Sequence, residues 1–198
     1  METTNKLTQA DFEKVAKLLA VEVAAVKAVQ EVETGGRGGF FAPAKPTILF
    51  EGHIFWSQLK KRGINPEQHQ TGNEDVLYPK WTKEHYGNKV EEYNRLDKAR
   101  QINEDAALCS ASWGMFQLMG FNHTLCEFST VQKFVDAMSK GELEQLDAFA
   151  RFMINSKLVP FLREKDWAGF AQRYNGPAYA QNKYDEKLER AYQKHKQA

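Results

Sequence analysis

Cysteine is nearly missing from the sequence: Cys109 and Cys126 are the only two among 198 residues, and they form no C-x-x-C pattern. Free buried thiols are therefore expected rather than a disulfide, and neither cysteine has a catalytic setting. Long apolar runs are absent too, none approaching the roughly 18 residues of a membrane span. The opening "METTNKLTQADFEK" lacks a cationic start followed by an apolar stretch, so the chain carries no recognisable export address and is expected to accumulate in a cytoplasm. No excess of one charge exists, since 27 basic side chains meet 26 acidic ones. A global field that would recruit nucleic acid or an anionic membrane is thereby excluded, and recognition has to be local. The five histidines show neither H-E-x-x-H nor a close pair, which argues against a catalytic metal, and no motif calls for a cofactor. Internal repeats, low-complexity tracts and domain linkers are also lacking, and the Asn122 sequon has no meaning without secretion.

What is present suits one core. With 42% hydrophobic residues, residues 1–198 are expected to form a single domain. Thr8 and Asp11 read as the capping box of a first helix running to about Ala20, with Leu7 placed to staple against Phe12. A second helix follows in "VEVAAVKAVQEVE", stopped by Gly35 and Gly36. Residues 37–46, with Gly38, Gly39, Pro43 and Pro46, read as a loop. "TILFE", Thr47 to Glu51, suits a short strand, "HIFWSQLKKRG" a helix ending at Gly63, and residues 64–87 a long irregular excursion of the kind that often carries function. The rest reads as helices: 89–109 as one, then "ASWGMFQLMG", "TVQKFVDAMSK", "ELEQLDAFARFMINSK", "DWAGFAQRY" and "YDEKLERAYQKH". The last is mildly basic, which fits a solvated face or attraction to an anionic cell envelope.

Glu33 is the first residue whose placement asks for a chemical reason. Val26, Val29 and Glu33 stand at i, i+3 and i+7, so this carboxylate points where the valines point, whereas Glu31 lies about 200° around the helix and is expected to face water. Desolvation and the negative end of the helix dipole both favour the protonated form, which suits a general acid. The plainer alternative is a carboxylate satisfied by a neighbouring Arg or backbone amide. Gly35, Gly36, Gly38 and Gly39 leave bare backbone beside it, where a bulky polymer has room to approach. They are not a phosphate loop, because they follow a helix rather than a strand.

Two further stretches carry polar groups among apolar ones. In "SASWGMFQLMGFNH", Ser110 to His123, Ser112, Gly114 and Gln117 are interleaved with Trp113, Met115, Phe116 and Met119, giving groups that suit sugar hydroxyls and amides; alone, the stretch reads as a helix N-cap with core behind it. "FAQRYNGPAY" places Tyr174 and Asn175 at a helix end closed by Gly176.

A Glu at a helix end, then S-x-G-x-x-Q, then Y-N-G resembles the order found in goose-type lysozymes and lytic transglycosylases. More closely, "VQEVETGGRGGF", "PTILFEGHIFW", "SASWGMFQLMGFN" and "FAQRYNGPAYAQNKYDEKL" resemble the N-acetylmuramidase domain of many phage endolysins, formerly a domain of unknown function. The likeness runs from about Lys14 to Tyr192, four separated motifs agreeing in order.

That resemblance implies an α+β, mainly α-helical, lysozyme-like fold with a small β region beside a substrate groove. It implies cleavage of the glycan strand of bacterial peptidoglycan between N-acetylmuramic acid and N-acetylglucosamine; many relatives carry an additional peptidoglycan-binding module, and no separate one is expected within residues 1–198. Glu33, in the E-[ST]-G-G position, becomes the catalytic acid, and Glu51 in "FEGH" the second carboxylate, orienting water or stabilising an oxocarbenium-like transition state. Alternatively Glu51 holds an Arg or caps the helix beginning near His53. One carboxylate ends a helix and the other a strand, which is expected to favour the inverting separation of about 6.5–9.5 Å. Ser112, Gln117, Tyr174 and Asn175 are implied as substrate-binding residues. The chain is expected to be a monomer that, without a signal peptide, stays in the host cytoplasm, and the family implies a holin-type partner that releases it to the wall. A lytic transglycosylase making 1,6-anhydro products with the same Glu33, and a non-catalytic wall-binding module, are the other classes; Glu33 and Glu51 together argue against both.

Overall fold

Helix α1 (Gln9–Leu19) begins where Thr8 and Asp11 satisfy each other's backbone amides, and it ends at Ala20 in the left-handed region. Leu7 packs against the core that contains Phe12. The structure is a computed structural model, and it describes residues 6–197; the first five residues of the stretch read for an export signal lie outside that range. Helix α2 (Val23–Thr34) follows, closed by Gly35 at φ 57°. Its Ala24, Ala25, Val26, Ala28 and Val29 are buried, so the helix is core on most sides rather than along one stripe.

Residues 37–46, expected as a loop, contain a small hairpin instead: β1 (Phe40–Ala42) pairs antiparallel with β2 (Lys45–Pro46). Strand β3 (Ile48–Phe50) falls inside "TILFE" as the apolar run predicts, and α3 (Gly52–Lys61) follows it directly. The excursion 64–87 holds only a short 3-10 turn at Pro66–His69.

The helix expected over 89–109 divides into α4 (Lys89–Arg100) and α5 (Glu104–Cys109). Asn103 makes the break, its side chain accepting a hydrogen bond from the Ala106 amide as a new N-cap. A second correction concerns "ASWGMFQLMG", which is not a helix but strands β4 (Ala111–Trp113) and β5 (Leu118–Met119) around a tight turn. Gly114 at φ 71° and Gln117 at φ 49° are both left-handed, which a right-handed helix interior excludes. The sheet order is β3-β4-β5, all antiparallel, with Leu49 opposite Ser112 and Ser112 opposite Met119.

Helices α6 (Val131–Met138), α7 (Glu142–Asn155), α8 (Val159–Glu164), α9 (Trp167–Asn175) and α10 (Tyr184–Lys196) complete the chain. Of these α8 was not foreseen; it begins with a proline at its first turn. Helix α10 lies along α2 in the most extensive helix pairing of the fold, burying Leu188, Ala191 and Tyr192. At 59% helix and 7% strand, the fold is mainly helical with a small β region. No helix is long and apolar enough to cross a membrane among the described residues. Both cysteines are free and buried.

Two buried polar clusters set the site's geometry. Glu92 and Arg95 of α4 sit on the face that also carries Leu96 and Ala99, and all four are buried. Glu92 accepts from the amides of Phe50 and Gly87, both at 2.8 Å, while Arg95 donates to Phe50 O, Asp75 O and the Tyr78 hydroxyl. The pair thereby fastens β3 and the excursion 64–87 to one helix. In α7, the fully buried Gln145 accepts from the Met115 amide at 2.8 Å and donates to Met138 O at 2.8 Å and Gly39 O at 3.4 Å.

Candidate active site

Glu33 occupies the last turn of α2, beside the buried Val26 and Val29, and is itself half-buried. Burial pushes its carboxyl up to about 7. The opposing influence is one hydrogen bond, from Asn175 Nδ2 to Glu33 Oε1 at 3.3 Å, which favours the ionised form. No cation lies within 4.0 Å of the Glu33 carboxylate among the described residues, so an Arg does not satisfy it. Tyr174, one residue before Asn175, supplies much of the apolar surround. Its ring packs against Phe170 (5.7 Å between centroids), Phe149 (5.6 Å) and Phe152 (6.2 Å). Burial, and then the nearby Glu33 charge, hold its phenol far above the usual range, so it stays protonated.

The Glu-Thr-Gly-Gly turn has a local explanation. The buried Thr34 hydroxyl accepts from the Gly36 amide at 3.2 Å, and the Arg37 side chain folds back to donate to Thr34 O at 3.1 Å. Gly35 and Gly36 are both left-handed and exposed, and a Cβ on Gly36 would meet nothing within 4 Å. Bare backbone is therefore open to solvent there, as the sequence suggested. Gly39 answers to a different demand: a Cβ would stand 2.0 Å from the Gln145 side chain. Gly114 meets the same amide at 2.6 Å. These two glycines make room for a buried glutamine rather than for a ligand.

Glu51 precedes α3 but its side chain makes no capping bond, and it pairs with no Arg or Lys among the described residues. Neither of the plainer roles expected for it is realised. Its Oε2 instead accepts from the Tyr86 hydroxyl at 2.6 Å. Burial, and then this bond, raise the Tyr86 phenol above its usual range, so it remains a donor. His53 Nδ1 lies 3.4 Å from the same oxygen, buried and without a hydrogen-bonding partner.

Ser112 is buried at the centre of the β3-β4-β5 sheet. Its hydroxyl donates to Gln117 Oε1 at 2.8 Å, and Gln117 Nε2 donates to Gly114 O at 2.8 Å and Thr47 O at 3.2 Å. The helix N-cap expected within this stretch is absent, and Gln117 is an exposed residue locked across a turn.

The six residues read from sequence thus fall into three groups: Glu33 with Tyr174 and Asn175, Ser112 with Gln117, and Glu51 with Tyr86 and His53. The first connects to the others through α7, whose Phe149 touches Tyr174 and whose Gln145 bonds Gly39. Gly39 O in turn accepts from the Thr47 amide at 2.9 Å, and Thr47 O from the Gly114 amide at 2.8 Å, at the root of β3. Sequence reasoning missed Tyr86, His53 and Gln145. A polar residue on the buried face of α7, beside Leu146 and Phe149, was the available signal for Gln145; Tyr86, in an aperiodic segment, had none.

A mainly helical fold with a small sheet and a desolvated glutamic acid at a helix end defines a lysozyme-like protein. The sequence model of the N-acetylmuramidase family matches residues 22–196, and the chain belongs to that family. Among solved structures it is similar to the crystal structure of the Burkholderia AP3 phage endolysin, with 42% identity and a TM-score of 0.91, over 100% of this chain and 74% of that one. No curated protein matches it.

Proposed function

We propose that the protein is an endolysin that hydrolyses the β-1,4 bond between N-acetylmuramic acid and N-acetylglucosamine in bacterial peptidoglycan, with Glu33 as general acid. The observation that carries this is a carboxyl held near 7 by burial, with a single amide contact and no cation. At neutral pH a large fraction of Glu33 retains the proton that the glycosidic oxygen needs, and its pKa lies close to the working pH, where general acids are most efficient. Tyr174 and its aromatic neighbours exclude water from the acid, and Asn175 orients it.

Glu51 is the second carboxylate in this reading. Tyr86 engages its Oε2, which leaves Oε1 to hold a water or face the positive charge that develops on the sugar ring. Gln117 and Asn175 present amides to the glycan, while Ser112 acts through Gln117 by fixing its orientation. In this reading the chain acts as one catalytic unit, a monomer released from the host cytoplasm by a holin-type partner; the similarity to a phage endolysin supports the lytic role itself.

A mass spectrum of the fragments released from purified peptidoglycan tests the reaction type. Hydrolysis gives fragments ending in a free reducing muramic acid. Fragments one water lighter, the 1,6-anhydro form, would make the protein a transglycosylase and reduce Glu51 to a structural or electrostatic part.

A further inference from the structure

A cleft of about 1000 Å³ runs between α2 and α10, away from the sheet, and its charge is one-sided. Lys27, Lys187, Arg190, Lys194 and His195 line it against one carboxylate, Glu31. In a chain whose charges nearly cancel, this is local concentration rather than composition. Glu31 is already engaged, by Lys194 Nζ at 2.9 Å and His195 Nε2 at 2.8 Å. Its carboxyl is held below the usual range chiefly by the Lys194 bond, so it stays ionised and keeps the Lys194 ammonium and the His195 ring in the cleft's lining. Lys27, Lys187 and Arg190 have no carboxylate within 4.0 Å among the described residues. Aromatic rings brace two of them, Lys27 over Phe12 at 5.5 Å and Lys187 over Tyr184 at 5.3 Å. Arg190 spends only its Nε, on Glu186 O. Three cations without a carboxylate partner thus line the cleft, Lys27 from α2 and Lys187 and Arg190 from α10.

The cleft's other boundary identifies what reaches it. Val32, Gly35 and Gly36 line it, and Glu33 stands between them in the chain. A ligand in the cleft therefore lies against the last turn of α2, which carries the proposed acid, beside the left-handed backbone of Gly35 and Gly36.

We propose that this cleft binds the carboxylate-bearing peptide stem of the muramic acid residue being cleaved. The proposal rests on the muramidase reading: the sugar whose bond Glu33 protonates is the one that carries a peptide on its lactyl ether, and that peptide must leave the glycan groove near Glu33. Each extended residue spans about 3.5 Å, so a few residues suffice to lay free stem carboxylates along the cationic lining. The charges select anionic stems and draw the strand into register, as complementary potentials do at other interfaces.

The test compares purified peptidoglycan with the same glycan stripped of peptide, using wild type and a Lys187→Gln/Arg190→Gln double variant. Wild type is expected to show a KM about fivefold lower on the peptide-bearing strands, as two exposed charge pairs give, and the double variant to lose that preference. Equal KM values in wild type, or an undiminished preference in the variant, would overturn the proposal. A titration with the free stem tripeptide separates it from the parent reading, because binding needs no cleavage. Binding by wild type that weakens with salt and disappears in the double variant supports the site even if glycan hydrolysis were disproved. Failure of the tripeptide to bind would overturn the proposal, and binding of a poly(glycerol phosphate) chain in its place would assign the cleft to a different polyanion.

Discussion

At the scale of single residues, the account turns on what surrounds the Glu33 carboxyl. Its elevated pKa has one resolved opponent, the Asn175 amide. Asn175→Ala should therefore move the basic limb of the kcat/KM profile from near pH 7 to higher pH; a profile that stays put or shifts to lower pH would show that another group carries the proton. Stability follows from the same shift. Below its unfolded value of 4.5 Glu33 is protonated in both states, and the burial carries no pH-dependent cost. As pH rises through about 7, the unfolded chain has released a proton that the folded chain still holds, so stability falls and then levels off. The loss is about 3 kcal/mol at most before it is reduced by the residue's partial exposure. Glu33→Gln should accordingly melt higher than wild type at pH 8 and close to it at pH 4. Thermal melts at the two pH values check this, and a variant equally displaced at both would point to packing instead. The phase of Glu33 was legible because Val26 and Val29 mark the buried face of a helix with a clear end. Its partner Asn175, 142 positions away in the chain, could be reached only through family likeness, since no local pattern encodes a contact of that range.

At the scale of elements, the irregular segment 64–87 owes its placement to α4. Arg95 and Glu92 bind it at Asp75, Tyr78 and Gly87, and that in turn sets Tyr86 against Glu51. Arg95→Met leaves a buried carboxylate unpaired and should cost about 3–5 kcal/mol. Denaturant melts measure the loss, and proteolysis should cut first within 64–87; cleavage beginning elsewhere would contradict the tether. Tyr86→Phe is the milder probe. It removes a hydrogen bond to a charged group, worth about 1.5–3 kcal/mol, and should lower kcat while leaving KM little changed if Glu51 works in the transition state. An unchanged kcat would take Glu51 out of the chemistry. The sequence pattern misled most at 110–120, where apolar spacing looks helical and two left-handed positions decide for a hairpin. Gly114 gave a hint of that turn; Gln117 gave none, because its strained backbone is sustained by the Ser112 hydroxyl and two carbonyls that only the folded sheet assembles.

At the scale of the whole molecule, α10 closes the fold by returning to α2. Tyr192 donates to Glu22 at 2.8 Å at the start of α2, and Lys194 and His195 meet Glu31 in its last turns. Glu31, expected to face water from its helical phase, instead faces another helix, which a single-helix projection cannot reveal. Because Lys194 is largely exposed and the Glu31 side chain itself more than a third exposed, Glu31→Gln should cost no more than about 1 kcal/mol. Leu188→Ala, emptying a fully buried position on α10, should cost about 2–5 kcal/mol and show that the basic terminal helix is part of the core rather than an appended tail. Neutral melting of the Leu188 variant would refute that. The central claim, that Glu33 protonates the scissile oxygen, is tested most directly by kcat/KM of Glu33→Gln on purified peptidoglycan at pH 6, with folding verified by its melting transition. The account predicts a fall of about 10²–10⁴-fold, the usual contribution of a general acid. A folded Glu33→Gln protein that keeps more than about a tenth of wild-type kcat/KM would contradict it, since loss of a general acid should cost far more than tenfold.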